Sequence, residues 1–334
     1  MSRSHSRTWT AAVVGGGAFG EAHLRTYRSM PQIEVGGVYT IDPERGAALC
    51  GVYGGRRYES LEALANDPAI DLVSIVTPED RHLEAFRVLA AAGKAVYVEK
   101  PLATSLAEAR EISVLSRGIT AMSGHCLRFE QRLAGILEEL REVTLHHLSF
   151  RNLRTRHEKA TYGRVHPAHA MLCHEVELSN AFAASPFRRV LGMETRFSEG
   201  QVDGMTILIE YASGLTSTVE GGWYLPAQSS CTENDLISIR SARGVDEVVI
   251  PQLGFYRVTA GGMEVPNSFY GHAVYGTEYG PLRAALDYFV HCLAGGVQPA
   301  ISTMADGFAA VELIEGALLS AREGRWVSRD EFAV

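Results

Sequence analysis

Only three lysines, Lys94, Lys100 and Lys159, stand in the sequence against 28 arginines. Most cationic positions have been filled by Arg, so a retained Lys invites a chemical reason. Unlike a guanidinium, an ammonium can lose its proton near neutral pH when desolvated, which suits a general acid or base. Lys100 sits in Val96-Tyr97-Val98-Glu99-Lys100-Pro101, where a short apolar, β-branched run meets a charged pair and a proline. The run predicts a buried strand, and Pro101, with a fixed φ and no backbone donor, predicts its exit. Such an exit would hold the ammonium at the carboxyl end of a sheet, the edge where open α/β sheets bind ligands. A charged pair after a strand is more often a solvated turn, so these six residues need support from the rest of the chain.

Gly15-Gly16-Gly17-Ala18-Phe19-Gly20 supplies some of it. The loop follows a β-like run, Trp9 to Val14, and opens a helical stretch that reaches Met30 and stops at Pro31. G-x-G-x-x-G in this strand-turn-helix setting predicts a pyrophosphate cradle. Gly15 would make the tight turn, Gly17 would admit the phosphates, Gly20 would let the helix pack on the strand, and Ala18 and Phe19 would open the helix toward the anion. An acidic residue is expected to hold the ribose at the tip of the next strand, Ile33 to Tyr39, about 20 residues past the glycines. Thr40 stands there instead, followed by Asp42, which in Asp-Pro-Glu-Arg suits a helix cap equally well. Thr40 weakens strict selection of NAD, yet no Arg follows immediately to welcome a 2′-phosphate. NAD is the expected cofactor, with NADP left open. Thr77 and His82 are candidates to line the same groove beside Pro78, which also serves as a strand terminator.

These residues require a particular scaffold. Beyond Tyr39 come a helix near Leu61 to Asn66, a strand Ile70 to Val76, a helix Arg81 to Ala92, the strand Ala95 to Val98, a helix Ser105 to Arg117 and a strand Ile119 to Ser123. Strands alternating with helices predict a parallel, doubly wound sheet. After Gly124 the pattern changes. His125 to Leu140 reads as a helix, Val143 to Asn152 alternates, and Asn152 to Pro167 is a polar, Arg- and His-rich connection. Strand-like runs follow: Val190 to Phe197, Met205 to Tyr211, Leu215 to Trp223, Leu236 to Arg240, Val245 to Ile250 and Phe255 to Thr259. They predict a largely antiparallel sheet, one face of which can be left to a partner subunit. Two closing helices carry apolar stripes, Leu282 to Leu293 and Phe308 to Leu318. The expected class is α/β: a Rossmann dinucleotide-binding domain over residues 1–124, then an α+β domain with an open, mostly antiparallel sheet over 125–334, its last helices packing back.

At 334 residues the chain is long enough for two cores, and 46% hydrophobic with 21% charged residues is ordinary for a globular protein. A net charge of -8 argues against a nucleic-acid partner and leaves room for a cationic substrate. The five cysteines are scattered singly, without the paired spacing of a zinc site or a disulfide framework. No metal is expected. No signal-like or membrane-spanning apolar run occurs, so the expectation is a cytoplasmic protein without a membrane partner.

With the glycine loop, Thr77-Pro78, Glu99-Lys100-Pro101 and a helical His174 considered together, the chain resembles the Gfo/Idh/MocA family of sugar and cyclitol oxidoreductases from Ala11 to about Val327. The triplet is the most specific sign; the glycine loop is shared widely. The resemblance implies an enzyme moving a hydride between a nicotinamide and a secondary hydroxyl or ketone of a sugar, amino sugar or cyclitol. It implies Lys100 and His174 as the catalytic pair on the reacting hydroxyl, Glu99 and Lys100 beside the cofactor, and a homodimer or homotetramer built through the second sheet. Tyr162 and the His174-Glu175-Val176-Glu177 segment look like a subgroup version, and with His125 and Arg128 these are the substrate-side candidates. Glu175 and Glu177 would accommodate a cationic amino sugar, as in aminoglycoside biosynthesis, and equally a neutral polyol. The family's carboxylate one helical turn before the His is replaced by Ala170, so Glu175, His169 or Tyr162 would take over or the site would act with fewer partners. Read without the resemblance, His174 is a satisfied helical histidine with Glu177 as its surface partner. Two alternatives follow: a nicotinamide-dependent enzyme that cleaves glycosides by oxidation and elimination, and a non-catalytic cofactor-binding regulator.

Overall fold

The computed structural model describes residues 7–197, 200–251, 257–259, 262–264 and 273–332, and forms two compact units. The first holds the described residues up to Phe129 together with those from 273 to Phe308; the second holds those from Glu130 to 264 and from Ala309 onward. The division near Gly124 expected from the sequence thus lies five residues later, and a segment far along the chain returns to the first unit.

In the first unit the chain runs β1 (Trp9–Val14), α1 (Ala18–Arg28), β2 (Ile33–Tyr39), α2 (Pro43–Tyr53), β3 (Arg56–Arg57), α3 (Leu61–Ala65), β4 (Leu72–Ile75), α4 (His82–Ala91), β5 (Ala95–Glu99), α5 (Leu106–Leu115) and β6 (Ala121–Gly124). Six strands pair in the order β3-β2-β1-β4-β5-β6, every pair parallel, the doubly wound arrangement. β4 and β5 are buried along their whole length, as strands covered on both faces must be. α1 turns Gly20, His23, Leu24 and Tyr27 inward, one apolar stripe with two polar tips.

The second unit contains α6 (Gln131–Glu139), β7 (Leu145–Thr155), α7 (Lys159–Tyr162), α8 (Cys173–Ala183), β8 (Phe187–Thr195), β9 (Gly204–Tyr211), β10 (Thr216–Leu225), β11 (Glu233–Ser241) and β12 (Gly244–Ile250). Two short hairpins follow, β13 (Arg257–Thr259) with β14 (Gly262–Glu264), and β15 (Ala273–Val274) with β16 (Thr277–Glu278), the second belonging to the first unit. Phe255 and Tyr256, the start of one expected strand, lie outside the described residues. Then come α9 (Pro281–Gly295), α10 (Met304–Glu323) and β17 (Val327–Ser328).

The larger sheet of the second unit runs β12-β11-β7-β10-β9-β8-β17, antiparallel except where β10 lies parallel to β7. Three expectations change. The helix expected over His125 to Leu140 is interrupted: a short 3₁₀ turn, Cys126–Phe129, gives way to Glu130, whose carboxylate accepts from Leu133 N at 3.0 Å and starts α6 afresh. The connection expected from Asn152 is strand as far as Thr155, because Asn152 and Arg154 extend the inward alternation with polar side chains. α9 joins the first unit, where Leu282, Ala285, Leu286, Phe289 and Val290 pack in one core with Leu24, Tyr27 and Tyr97.

Candidate active site

The glycine loop meets the geometric demands of a pyrophosphate cradle. Gly15 has φ +120°, and a Cβ there would stand 2.3 Å from the Val76 carbonyl oxygen. One on Gly20 would stand 2.1 Å from Gly15 O, so the start of α1 can lie against the loop only without a side chain. Gly17 faces open space, with nothing within 4 Å of a built Cβ, and it is the N-cap of α1 with no side-chain cap. The first N–H groups of α1, from Ala18 onward, are thereby left to an anion. Thr77 Oγ1, just past β4, is buried and has no hydrogen-bond partner. An uncapped helix start, a clear approach at Gly17 and an orphaned hydroxyl at the strand ends fit a dinucleotide.

His82 and Asp42 each make hydrogen bonds within the protein. The His82 ring is buried between two carbonyls, Nδ1 3.0 Å from Pro101 O and Nε2 3.2 Å from Thr77 O, and as a neutral imidazole it donates to one of them at a time. Burial holds its pKa below the usual value, against the pull of those carbonyls and nearby carboxylates. Asp42 Oδ1 accepts from Glu44 N and Arg45 N, both at 3.0 Å, and so caps α2. Pro78 leads into a 3₁₀ turn, Glu79–Arg81. Thr40, at the end of β2, lies over Gly16: a Cβ on Gly16 would meet Thr40 Oγ1 at 2.8 Å.

At the carboxyl end of β5, Glu99 is buried and Lys100 half-buried, and the Lys100–Pro101 peptide is cis. Glu99 ends a hydrogen-bonded chain that sequence reasoning missed. Tyr27 OH lies 2.7 Å from Ser74 Oγ, Ser74 Oγ 3.0 Å from His23 Nδ1, His23 Nε2 3.1 Å from Glu99 Oε1, and Lys100 N donates to Glu99 Oε2 at 3.2 Å. Because the Glu99 carboxylate only accepts, the His23 proton belongs on Nε2, and Nδ1 accepts from Ser74. The signal in the sequence was His23 three residues beyond Gly20, on the inward face of α1.

His125 follows β6, with Nδ1 2.8 Å from Ser123 Oγ. Burial, reinforced by the charges of Lys100 and Arg128, pushes its pKa down to about 3, so the imidazole is neutral at physiological pH. Lys100, His125 and Arg128 therefore stand within electrostatic reach of one another in the first unit.

The remaining candidates belong to the second unit. His174, Glu175 and Glu177 lie in the first two turns of α8, all buried, the two glutamates only 1% exposed. Glu177, a substrate-side candidate that would be a surface partner of His174 only without the resemblance, is buried because α8 is covered all round from Cys173 to Ser179. Glu175 Oε1 accepts from Asn152 Nδ2 at 2.8 Å, while Oε2 has no partner. Burial, then repulsion from Asp235, raises the Glu175 pKa to about 7. Its neighbours bear the same stress: Arg154 holds Asp235 through two N–H groups and lies 3.3 Å from Glu233. Ala168–Leu172, ahead of α8, winds as a single π-helical turn, a local feature often found at functional sites. Of the residues considered as substitutes for a carboxylate at Ala170, His169 pairs with Glu315 at 3.2 Å and Tyr162 is 40% exposed on α7. Among the described residues, no group of three or more His, Cys, Asp or Glu could hold a metal ion, and no helix is long and apolar enough to cross a membrane.

Residues 9–119 match the oxidoreductase family described as having an NAD-binding Rossmann fold, Gfo/Idh/MocA. The match covers the glycine loop and the strands up to β5, about a third of the chain. A 4-carboxy-2-hydroxymuconate-6-semialdehyde dehydrogenase from Sphingobium sp. is 36% identical over 122 residues, which cover 35% of this chain and 38% of the relative. Over nearly the whole length the likeness is one of fold. GenD2 from gentamicin A biosynthesis, in complex with NAD, has a TM-score of 0.83 at 23% identity, with 98% of each chain covered. scyllo-Inositol dehydrogenase from Lactobacillus casei, with bound NAD(H) and scyllo-inositol, has a TM-score of 0.80 at 15% identity, covering 97% of this chain and 100% of that one.

Proposed function

We propose that this protein is an oxidoreductase of the Gfo/Idh/MocA kind, an NAD-dependent dehydrogenase or reductase of a secondary hydroxyl on a sugar, amino sugar or cyclitol. The observation that carries the reading is the fully formed glycine cradle on the same sheet edge as Lys100, with the charge of Lys100 felt by a neutral, buried His125. The bound nicotinamide supplies a hydride acceptor in oxidation and a donor in reduction. Lys100, as the free amine, takes the hydroxyl proton while the carbinol C–H leaves as hydride, and a carbonyl remains. In reduction Lys100, as the ammonium, returns that proton to the oxygen. His174 is the second unit's candidate for a hydrogen bond to the substrate. Lys100 N is held on Glu99 and the His82 ring lies between the Thr77 and Pro101 carbonyls, so the backbone around the reacting group starts from fixed positions.

Both structural relatives support a ring-hydroxyl substrate, one by a cyclitol and the other by its place in aminoglycoside biosynthesis. The reading includes assembly as a homodimer or homotetramer through the outer face of the second sheet, where Leu153, Leu191, Leu208 and Leu236 are only partly covered. Reduced-nicotinamide absorbance on mixing the protein with NAD and a panel of inositols, sugars and aminoglycosides tests the activity. A signal is expected for wild type and loss of at least about 100-fold in turnover for Lys100→Met, with NAD binding retained. Full activity in Lys100→Met would remove Lys100 from the chemistry.

A further inference from the structure

The outer strand of the first sheet is bordered by a segment from far along the chain. β6 closes the sheet on one side, and the connection between α9 and α10 is bonded to it at both ends. Gln298 Nε2 donates to Ile119 O at 3.0 Å, Ser123 N donates to Ser302 O at 3.0 Å, and Ser302 Oγ donates to Ser123 O at 2.7 Å. Ser302 is fully buried with φ +53°, a left-handed conformation that residues with a side chain seldom adopt. Strain of this kind persists only where the surroundings hold it, and here both bonds go to one residue. Ser302 clamps Ser123 by its N–H and by its C=O.

What the clamp places is a hydroxyl. Ser123 is fully buried, and its Oγ lies 2.8 Å from His125 Nδ1. Gly307, in the first turn of α10, walls the other side: a Cβ there would come 2.6 Å from Ser123 Oγ. Among the described residues, His125 Nδ1 is the one side-chain partner of that hydroxyl. A buried O–H left without an acceptor costs free energy, so Ser123 donates to Nδ1 and the ring carries its own proton on Nε2. Burial, with the charges of Lys100 and Arg128, keeps the ring neutral.

β5 and β6 pair Val98 with Ser123 and Glu99 with Gly124, so Lys100 and His125 leave the sheet side by side. The other charged groups about them are Arg128, on the turn that follows, and Glu99, whose Cδ would lie 3.1 Å from a Cβ on Gly124. We propose that Ser302 and Ser123 are positioning residues that fix His125 as its Nε2–H tautomer beside Lys100. With Nδ1 occupied and Nε2 protonated, the ring has no lone pair to offer the Lys100 ammonium. The free amine is thereby favoured, which is the form that takes a proton in oxidation. This rests on the role of Lys100 proposed above and adds what sets its protonation.

Two measurements test it without any substrate. Ring ¹⁵N shifts of His125, assigned by their loss in His125→Asn, should show the Nε2–H tautomer in the wild type. The Nδ1–H tautomer there would overturn the proposal, whatever the variants do. Gly307→Ala displaces the Ser123 hydroxyl without deleting a polar group, Ser123→Ala removes it, and Ser302→Gly keeps the backbone conformation while dropping the clamping hydroxyl. Each, melting as a folded protein, should populate the Nδ1–H form. The chain has three lysines, so acetylation by acetic anhydride over a range of pH reads Lys100 by mass spectrometry with Lys94 and Lys159 as references. The Lys100 midpoint should rise by about one pH unit in Gly307→Ala and Ser123→Ala. A tautomer unchanged in all three variants, or a midpoint that stays while the tautomer changes, would also overturn it. The expected tautomers and midpoints in a protein that turned over no substrate would overturn the oxidoreductase reading and leave the clamp intact.

Discussion

A buried carboxylate reports its surroundings through its proton. Glu175 accepts one hydrogen bond, from Asn152, and faces repulsion from Asp235, and burial raises its pKa from 4.5 to about 7. Between those values the unfolded carboxyl has released its proton while the folded one keeps it. The folded state then binds more protons, so this contribution is fully present below about pH 4.5 and is lost as pH rises through 7. Glu175→Gln keeps an acceptor for Asn152 and removes the titration. Urea denaturation should find the variant more stable than wild type at pH 8, by up to roughly 3 kcal/mol, with the gap closing toward pH 5. A gap that did not narrow on acidification would show that Glu175 ionises normally. At this scale the sequence was legible where a residue type was unusual. Lys100 stood out among arginines, and Gly15 and Gly20 make the close backbone approaches their spacing predicted. The burial of Glu177 was not legible from its i,i+3 spacing to His174, because helical spacing says nothing of what covers the helix. His23 was missed although it stands three residues beyond Gly20 on the inward face of α1, because one histidine on an apolar face looks like core.

Elements are joined here by polar chains as well as by apolar packing. Tyr27 and His23 on α1, Ser74 on β4 and Glu99 on β5 form one continuous set of buried hydrogen bonds, so the helix that opens the glycine loop is keyed to the strand that presents Lys100. His23→Leu would leave the Glu99 carboxylate short of a donor inside the protein, and a buried charge-assisted bond lost from one side costs about 3 kcal/mol. Denaturation of His23→Leu, Glu99→Gln and the double variant should return a coupling energy of at least about 1 kcal/mol. Strict additivity would mean that the two side chains are held independently. Apart from the two-residue edge strand β3, Arg56–Arg57, strand order in the first sheet was readable from periodicity, because fully buried parallel strands are short apolar runs between helical stripes. The break at Glu130 and the extension of β7 to Thr155 were not readable. A carboxylate that caps a helix and polar residues that alternate inward both imitate ordinary surface sequence.

Over the whole molecule, the order of units along the chain and their composition in space part company. The first unit does not close at Phe129, because α9, more than 150 residues later, supplies Leu282, Leu286 and Phe289 to a core that also contains Leu24, Tyr27 and Tyr97. The Phe289 ring meets the Tyr97 ring edge-on at 5.9 Å, and Tyr97 lies two residues before Glu99 on β5. The apolar stripe of α9 was legible in the sequence, but a stripe identifies a buried face without naming the core it joins. Its placement makes a prediction about folding units. A fragment of residues 7–129 would expose the apolar surface that α9 covers, and the hydrophobic term lost exceeds what a marginally stable domain can spare. It should show helical circular dichroism without a cooperative thermal transition. The same fragment joined by a flexible linker to residues 273–308 should regain a sharp transition and bind NAD. Phe289→Ala in the full chain gives the graded version, a loss of about 3–5 kcal/mol with a weaker cofactor complex, because the cavity opens against the strand that carries the site. Cooperative unfolding of the 7–129 fragment alone would show that α9 only covers a core already complete.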